Sequence, residues 1–258
     1  MMWRIKTHAL QLGTPLVLFV LWWTLSADST SPYFPPLRDI LAAFATIWSS
    51  EHLWNDLLPS LASLAIGMLL TLAIGLSLGV LLGSVSRLER AFAPVTEFMR
   101  AMPVAAVVPV GLVVLGPGLR MEIAIIVFAS IWPVLLATID GVKGVDPVTL
   151  EVAQVYGLDR RRRITDIIFP SALPQIAAGI RIGIANAVAA MVIANMFGSV
   201  RGLGYFIVNA QQSFDVRATW AGLLMIGLIG CSVSGLYTLF QYRALAWHRG
   251  WRRATEGT

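Results

Sequence analysis

Long apolar runs, separated by short polar stretches, dominate the pattern of this chain. A helix of about 20 apolar residues rises about 30 Å and matches the hydrocarbon core of a bilayer. The runs therefore predict an all-α, polytopic membrane protein with about six transmembrane helices. These predicted spans are residues 10–25, 57–83, 95–115, 123–139, 176–197 and 220–242.

The third predicted span is the least regular of the set. It contains Glu97, Arg100, Pro103 and Pro109, and the chain leaves it through the Gly-Pro-Gly sequence at residues 116–118. Proline removes a backbone donor and kinks a helix. We expect residues 95–115 to form a span that is kinked or partly broken.

The distribution of Lys and Arg predicts the orientation, because short loops rich in these residues stay on the cytoplasmic side. With both termini cytoplasmic, the inner segments hold Arg4, Lys6, Arg87, Arg90, Lys143, Arg160, Arg161, Arg162, Arg163, Arg243, Arg249, Arg252 and Arg253. The outer segments hold only Arg38, Arg120, Arg201 and Arg217. An alternative is that the first span is a signal peptide, whose removal would leave an odd number of spans.

Composition agrees with a membrane protein and excludes several other classes. The hydrophobic share is 57%, and only 13% of residues are charged, against about 25% in soluble domains. The net charge of +5 follows from the inner-face Arg residues, and no basic face with interleaved aromatics indicates nucleic-acid binding. Cys231 is the one cysteine, so no internal disulfide or cysteine-based metal cluster is expected.

A polar stretch at residues 140–175 interrupts the apolar pattern and has the signals of a folded loop. Asp146 can cap a helix, Pro147 fits its first position, and Gly157 can end it in the left-handed conformation. Asp159 offers a second cap for a following segment, which carries Ile164, Ile167 and Ile168 before Pro170. On composition alone, this helix–turn–helix pair could be an interfacial hairpin in the lipid headgroups.

The spacing within this loop favours a different interpretation. Glu151, Ala153, Gly157, Ile167 and Pro170 match the pattern E-A-A-x3-G-x9-I-x-L-P that bacterial ATP-driven importers carry in their membrane subunits. Val152 replaces one Ala of this pattern, and Phe169 replaces the Leu. The chain resembles a permease subunit of an ATP-binding-cassette (ABC) importer.

Further stretches are similar to the nitrate, sulfonate and taurine branch of these permeases. They are Tyr-Phe-Pro-Pro at 33–36, Arg-Ala-Met-Pro at 100–103, Gly-Ile-Arg at 179–181 and Gly-Leu-Gly-Tyr at 202–205. One departure is Asn195, which follows Ala194 where members of the branch often carry Glu. The resemblance implies import of a small solute such as a sulfonate, taurine or nitrate, and Asn195 weakens the case for an anion.

The resemblance also implies the architecture and the partners. The fold is that of a type I ABC importer permease, with residues 1–258 as one transmembrane domain and residues 140–175 as its coupling loop. The sequence contains no G-x4-G-K-[ST] phosphate loop, so we expect no cofactor on this chain and ATP on two partner ATPase subunits. In the docked helix, Ala153 would let the ATPase backbone approach, Gly157 would permit a sharp exit, and Glu151 would cap or pair.

Other expected partners are a second permease copy in a homodimer, membrane lipid, and a periplasmic or lipid-anchored binding protein. The expected location is the bacterial inner membrane. The binding protein would contact the outer loops at residues 28–56 and 199–219, although both loops could equally be solvated connections.

Small residues at four-residue spacing mark the fifth predicted span. Gly179, Gly183 and Ala187 form one stripe, which allows close helix packing in lipid. Arg181, Asn186 and Asn195 are candidates for lining the translocation path, with simple interhelical bonding of the two amides, and snorkelling of Arg181, as the alternatives.

Two other function classes compete with an importer subunit. A secondary transporter, or a channel not coupled to an ATPase, would need internal repeats or mid-membrane charges, which the sequence does not clearly show. A membrane enzyme would need converging reactive groups, but His8, His52 and His248 lie near different spans. We therefore expect neither catalytic residues nor a metal site.

Overall fold

The computed structural model describes residues 2–49 and 51–246, and the side chains from residue 13 onward. His248, Arg249, Arg252 and Arg253, and the side chains of Arg4, Lys6 and His8, lie outside the described part. The elements are α1 (Met2–Ser26), α2 (Leu37–Trp48), α3 (Leu53–Ser84), α4 (Ser86–Ala101), α5 (Val104–Leu115), α6 (Leu119–Lys143), α7 (Pro147–Val155), α8 (Arg160–Gly198), α9 (Leu203–Gln212) and α10 (Val216–Ala244). The described residues contain no strand, which confirms the all-α prediction.

Within the described residues, four helices are long and apolar enough to cross a membrane: α3, α6, α8 and α10. Each contains one of the spans predicted at residues 57–83, 123–139, 176–197 and 220–242. Helix α1 covers the first predicted span, and its described apolar part is Gly13–Ser26. Its side chains from Leu16 to Leu25 are largely exposed, because α1 lies at the edge of the bundle, where it packs mainly on α2 and touches α10 through Trp22 and Trp220.

Residues 95–115 are broken as their prolines predict, since they belong to two helices, which together are long and apolar enough to form one bent span. Helices α4 and α5 meet at Met102 and Pro103 with a bend of 97°. Met102 takes an extended conformation, and Pro103 then starts α5 as its N-cap. Helix α5 has 12 residues and rises about 18 Å, so α5 alone is too short to cross the bilayer core.

Helix α6 lies at the centre of the bundle and packs closely on α3 and α8. Gly67, Gly75, Gly79 and Gly83 of α3 face α6 at near-regular spacing. A Cβ atom on Gly79 would lie 2.5 Å from Cβ of Thr138, so the helices could not keep their separation with a larger residue there. In lipid, such backbone proximity supplies packing energy that the hydrophobic effect does not.

The other side of α6 packs on α8 through the small residues that the sequence predicts. A Cβ atom on Gly179 would lie 2.6 Å from the carbonyl oxygen of Pro133, and one on Gly183 would lie 3.2 Å from that of Ser130. Near the C-terminus of α6, Gly141 contacts Ala172 of α8 in the same manner. The stripe of small residues on α8 therefore serves close packing on α6.

The second helix of the loop at residues 140–175 differs from the prediction. It is not a separate element, because the chain stays helical from Arg160 to Gly198 over 39 residues. A π-helical segment at Arg163–Ile168 precedes Pro170, where proline lacks the donor for a regular α-helical hydrogen bond. The result is one helix of about 58 Å, which joins the loop directly to the fifth predicted span.

The loops at residues 28–56 and 199–219 contain the short helices α2 and α9, which we do not predict from the sequence. Leu37, Ile40 and Trp48 of α2 are buried, as are Leu203 and Phe206 of α9. The Trp48 and Phe206 rings lie 5.2 Å apart between their centroids. These connections are thus partly packed into the bundle.

A buried polar cluster fastens α9 to α3 and α8. Asp56 accepts a hydrogen bond from the backbone N–H of Gly202 at 3.0 Å, and Ser60 Oγ accepts one from that of Leu203 at 2.9 Å. Ser60 Oγ also donates to Asn195 Oδ1 at 2.7 Å. Gly202 has φ +108°, in the region that favours glycine. Side chains of α3 therefore satisfy the N-terminal amides of α9.

We predict that Gly79→Val destabilises the protein by about 1–3 kcal/mol, because overpacking separates α3 from α6. The measurement is the thermal unfolding midpoint of the purified protein in detergent. Gly235→Val on α10 is the matched control, since an added Cβ atom there meets nothing within 4 Å. Equal midpoints for the two variants would contradict the packing role of the glycine stripe.

Ser60→Ala should also lower the unfolding midpoint, at a cost of about 1–3 kcal/mol, because it leaves the Leu203 N–H and Asn195 Oδ1 unpaired in the interior. Ser77→Ala on the exposed side of α3 is the control, since its hydroxyl bonds only to its own helix at Ala73. A drop of the same size in both variants would show that the cluster has no special role.

Candidate coupling loop and translocation path

The loop helix α7 begins and ends as the sequence predicts. Asp146 accepts a hydrogen bond from the backbone N–H of Val148 at 3.0 Å, and Pro147 occupies the first turn. Gly157 has φ +66°, and the N–H of Leu158 donates to the carbonyl oxygen of Ala153 at 3.0 Å. This is the hydrogen bond by which a left-handed glycine closes a helix C-terminus.

The next helix starts directly after that turn. Asp159 Oδ1 accepts a hydrogen bond from the N–H of Arg162 at 3.3 Å, which confirms the second predicted cap. Arg160, Arg161 and Arg162 are exposed. The loop is therefore a short helix, a tight turn and the start of a long helix, with a positively charged surface beside α7.

Ala153 lies on the inner side of α7, and only 2% of the residue is exposed. We expect another backbone to approach closely at this small side chain. In the structure, that neighbour is the beginning of α8 in the same chain, on which α7 packs. The expectation that Ala153 receives the backbone of a partner is corrected by this burial.

The opposite side of α7 exposes an apolar surface to solvent. It consists of Val148, Val152, Val155 and Tyr156, of which Val155 is 86% and Tyr156 is 80% exposed. Sequence reasoning missed this α7 surface, although the spacing of the three valines by four and three residues places them on one helix face. Glu151 is exposed at its edge.

The remaining residues of the loop motif have structural positions in α8. Ile167 and Pro170 are partly buried within the first turns of this helix. The neighbouring Ile168 packs on a cluster of Val142, Ala172 and Ile176, so this segment is fastened to the bundle. The five motif residues are thus divided between the exposed loop surface, the inner side of α7 and the base of α8.

The polar residues predicted to line a path point in three directions from α8. Arg181 donates to Gln241 Oε1 of α10 at 2.7 Å, whereas Asn186 donates to the carbonyl oxygen of Ala129 in α6 at 3.3 Å. Asn195 bonds to Ser60 of α3 and lies two and a half turns from Asn186, on the opposite face. The structure therefore does not bring these side chains together.

Asn195 lies inside the subunit, with 1% of its surface exposed. This position corresponds to interhelical bonding, which the sequence leaves open as the alternative to pore lining. Its Nδ2 atom is buried and has no hydrogen-bond partner among the described residues. Pore lining stays a prediction for Asn186 and Arg181.

The bend between α4 and α5 creates a cavity beside Asn186, which the sequence does not predict. Its volume is about 260 Å³, and Arg100, Phe128 and Trp132 lie in its wall. Arg100 also forms an ion pair with Glu97, three residues earlier, at 2.6 Å. Only the three-dimensional bend places Arg100 and Asn186 at one cavity, so no local sequence signal indicates it.

No group of three or more His, Cys, Asp or Glu side chains with metal-binding geometry occurs in the described part of the chain. His52 and Asp56 form a pair, with Nδ1 and Oδ2 separated by 2.8 Å. Asp56 already caps Gly202, so this pair has a structural role at the start of α3.

Comparisons with known proteins identify the family. A model described as "Binding-protein-dependent transport system inner membrane component" matches residues 71–245. The chain is 28% identical to the putative aliphatic sulfonates transport permease protein SsuC of Bacillus subtilis (strain 168), covering 92% of this chain and 87% of the relative. It is 29% identical to the taurine transport system permease protein TauC of Escherichia coli (strain K12), covering 93% and 90%.

A third relative and a solved structure extend the comparison. The bicarbonate transport system permease protein CmpB of Synechocystis sp. is 34% identical, covering 70% of this chain and 65% of the relative. Inward-facing structures of the MetNI methionine ABC transporter share the fold, with a TM-score of 0.61, 17% identity, and coverage of 75% of this chain and 96% of that chain. The resemblance inferred from the loop motif is confirmed, and these similarities do not support an uncoupled secondary transporter or channel. The chain belongs to the family of binding-protein-dependent transport system inner membrane components, the membrane-spanning permeases of ABC importers.

Proposed function

We propose that α7 docks this permease onto an ATPase subunit and that α8 transmits the movement of that ATPase to the translocation path. The observation that carries this proposal is the α7 surface of Val148, Val152, Val155 and Tyr156. Aliphatic and aromatic side chains on one face of a short helix are typical of a helix that binds in a groove of another protein. ATP would bind to the partner, because this sequence has no phosphate loop.

The connection between α7 and α8 supports mechanical coupling. The turn at Gly157 is closed by a backbone hydrogen bond, and Asp159 caps the next helix at once. Helix α8 then continues without interruption to Gly198. A displacement of α7 would therefore move a helix that reaches the far end of the bundle, as in rigid-body switching between two states.

A complete importer would contain two copies of this chain, two ATPase subunits and a periplasmic or lipid-anchored binding protein. The exposed valines Val110, Val113 and Val114 of α5 give the chain an apolar surface that lipid or a second copy would cover. The binding protein would contact the end of the bundle formed by α2 and α9. The whole chain would act as one permease domain, with no bound cofactor and no nucleic-acid partner.

The proposed cargo is a small solute of the sulfonate, taurine or nitrate type. The relatives named for aliphatic sulfonates and taurine support this class, and the bicarbonate relative shows that similar chains serve other small oxyanions. The proposed location is the inner membrane, with both termini in the cytoplasm.

Val155→Glu should abolish attachment of the ATPase subunit and transport while the permease stays folded. The reason is that Val155 is 86% exposed, so a charge there costs little in the isolated subunit and much in an apolar docking cleft. The measurement is co-purification of the ATPase subunit with the tagged permease, together with solute uptake by cells.

Gln154→Glu is the matched control, because it adds the same charge on a different side of α7.

Gly157→Pro should also uncouple transport, since proline cannot adopt the positive φ of this turn. A charge at Ala153 would test folding of the loop rather than docking, because that side chain is buried. Normal ATPase attachment in Val155→Glu would refute docking through the α7 surface.

Cysteine labelling should confirm the orientation. In a Cys231→Ser background, Thr30→Cys should react with a membrane-impermeant maleimide in intact spheroplasts, because we place the connection between α1 and α2 outside. Arg161→Cys should react only after the membrane is permeabilised, because we place α7 and its turn in the cytoplasm. The reverse labelling pattern would invert the assigned topology.

A further inference from the structure

The cavity at the bend between α4 and α5 has the composition of a solute-binding site. Arg100 lies in the last turn of α4, and Asn186 lies near the middle of the apolar part of α8. The distance between them along the chain is large, and the 97° bend brings them to one cavity. At about 260 Å³, the cavity is smaller than the sites of drug-sized ligands, which measure about 300–1,000 Å³.

The polar part of the cavity wall is rich in hydrogen-bond donors. Glu97 Oε2 accepts from Arg100 Nε at 2.8 Å and from Nη2 at 2.6 Å, which leaves Nη1 for another acceptor. Asn186 uses one amide N–H on the carbonyl oxygen of Ala129 and has a second N–H. An acceptor such as an oxyanion suits these two side chains better than a cation does.

The rest of the wall is largely apolar, apart from the indole Nε1 of Trp132, which is buried without a hydrogen-bond partner among the described residues. Phe128 and Trp132 of α6 form an edge-to-face pair with centroids 5.9 Å apart. Met102, Val104 and Leu136 complete this side of the cavity. An organic group of the solute would bury its surface here, at about 25 cal/mol per Å². A bare inorganic oxyanion would leave this half of the wall unused.

We propose that this cavity is a subsite of the translocation path for a small organic oxyanion, such as a short-chain sulfonate. The sulfonate oxygens accept hydrogen bonds from Arg100 and Asn186, and the carbon chain lies against Phe128 and Trp132. This inference rests on the proposed function, because it assigns the solute class of the same path. It also places the specificity for organic over inorganic oxyanions partly in the permease itself.

The ion pair with Glu97 allows a test of whether the cavity prefers an anionic or a cationic solute. Glu97 and Arg100 are about half exposed, with 60% and 48% of their side-chain surfaces accessible. Removal of the Glu97 carboxylate releases a guanidinium that would then carry an uncompensated positive charge. An anionic solute should bind more tightly to such a variant, whereas a cationic solute should bind more weakly.

The experiment measures binding of propane-1-sulfonate to the purified full-length permease in nanodiscs by isothermal titration calorimetry, with nitrate as the inorganic comparison. We expect the sulfonate to bind more tightly than nitrate. Arg100→Gln should weaken sulfonate binding by about 10-fold or more, and Glu97→Gln should strengthen it by up to about 5-fold. Asn186→Ala should weaken it by about 3-fold or more.

Arg90→Gln is the matched control on the same helix, because Arg90 bonds to the carbonyl oxygen of Ser86 and is not in the cavity wall. Equal sulfonate affinity in Arg100→Gln and Arg90→Gln overturns the proposal, as does weaker binding in Glu97→Gln. Nitrate binding as tight as sulfonate binding refutes the role of the aromatic wall. A thermal unfolding midpoint for each variant shows whether a loss of binding reflects unfolding.

Co-purification of the ATPase subunit with each variant separates this inference from the proposed function. If the wild-type permease binds the ATPase but no sulfonate, the cavity is not a subsite for this class and the docking proposal stands. If the wild-type permease does not bind the ATPase, the docking proposal fails irrespective of the sulfonate result.

Discussion

The close approach of α6 to the helices on either side of it is the constraint on which the rest of the structure depends. Glycines of α3 and small residues of α8 leave no room for an added Cβ atom at Gly79 or Gly179. Helices in lipid gain little from burying apolar side chains against one another, so association relies on such proximity and on interhelical hydrogen bonds. The bond between Thr71 and Ser130 at 2.7 Å adds a polar contact between α3 and α6.

This packing determines what α8 can transmit. The helix is held against α6 from Ala172 to Gly183, and its first turns extend beyond that region to the loop that carries α7. The exposed apolar surface of α7 is therefore connected to a long helix that has a fixed position in the bundle. The same packing explains why the side chains of Arg181, Asn186 and Asn195 point in different directions. A helix packed on several sides contacts a different neighbour on each face.

The parts of the fold that the sequence predicts are those governed by local signals. Asp146, Gly157 and Asp159 determine the ends of their helices through neighbouring backbone groups. These helix ends can therefore be predicted from the sequence without tertiary information. The 97° angle after Ala101 and the burial of Ala153 depend on which distant residues pack nearby. The same holds for α2 and α9, whose apolar sides, around Trp48 and Phe206, are interpretable only once a bundle exists to receive them.

The cavity at the bend combines a fixed wall with a loosely held one. Asn186, Phe128 and Trp132 belong to α6 and α8, which form the tightly packed centre of the bundle. Arg100 belongs to α4, which makes few contacts with α3 and α6 and whose ion pair between Glu89 and Lys143 is partly exposed. Such a pair contributes about 0–1 kcal/mol, and segments with few buried contacts open at low cost. A solute held between Arg100 and Asn186 would thus contact a loosely packed helix and a closely packed helix of the subunit at once. A change in the position of α4 would then alter the contacts between Arg100 and the solute without any repacking of the core.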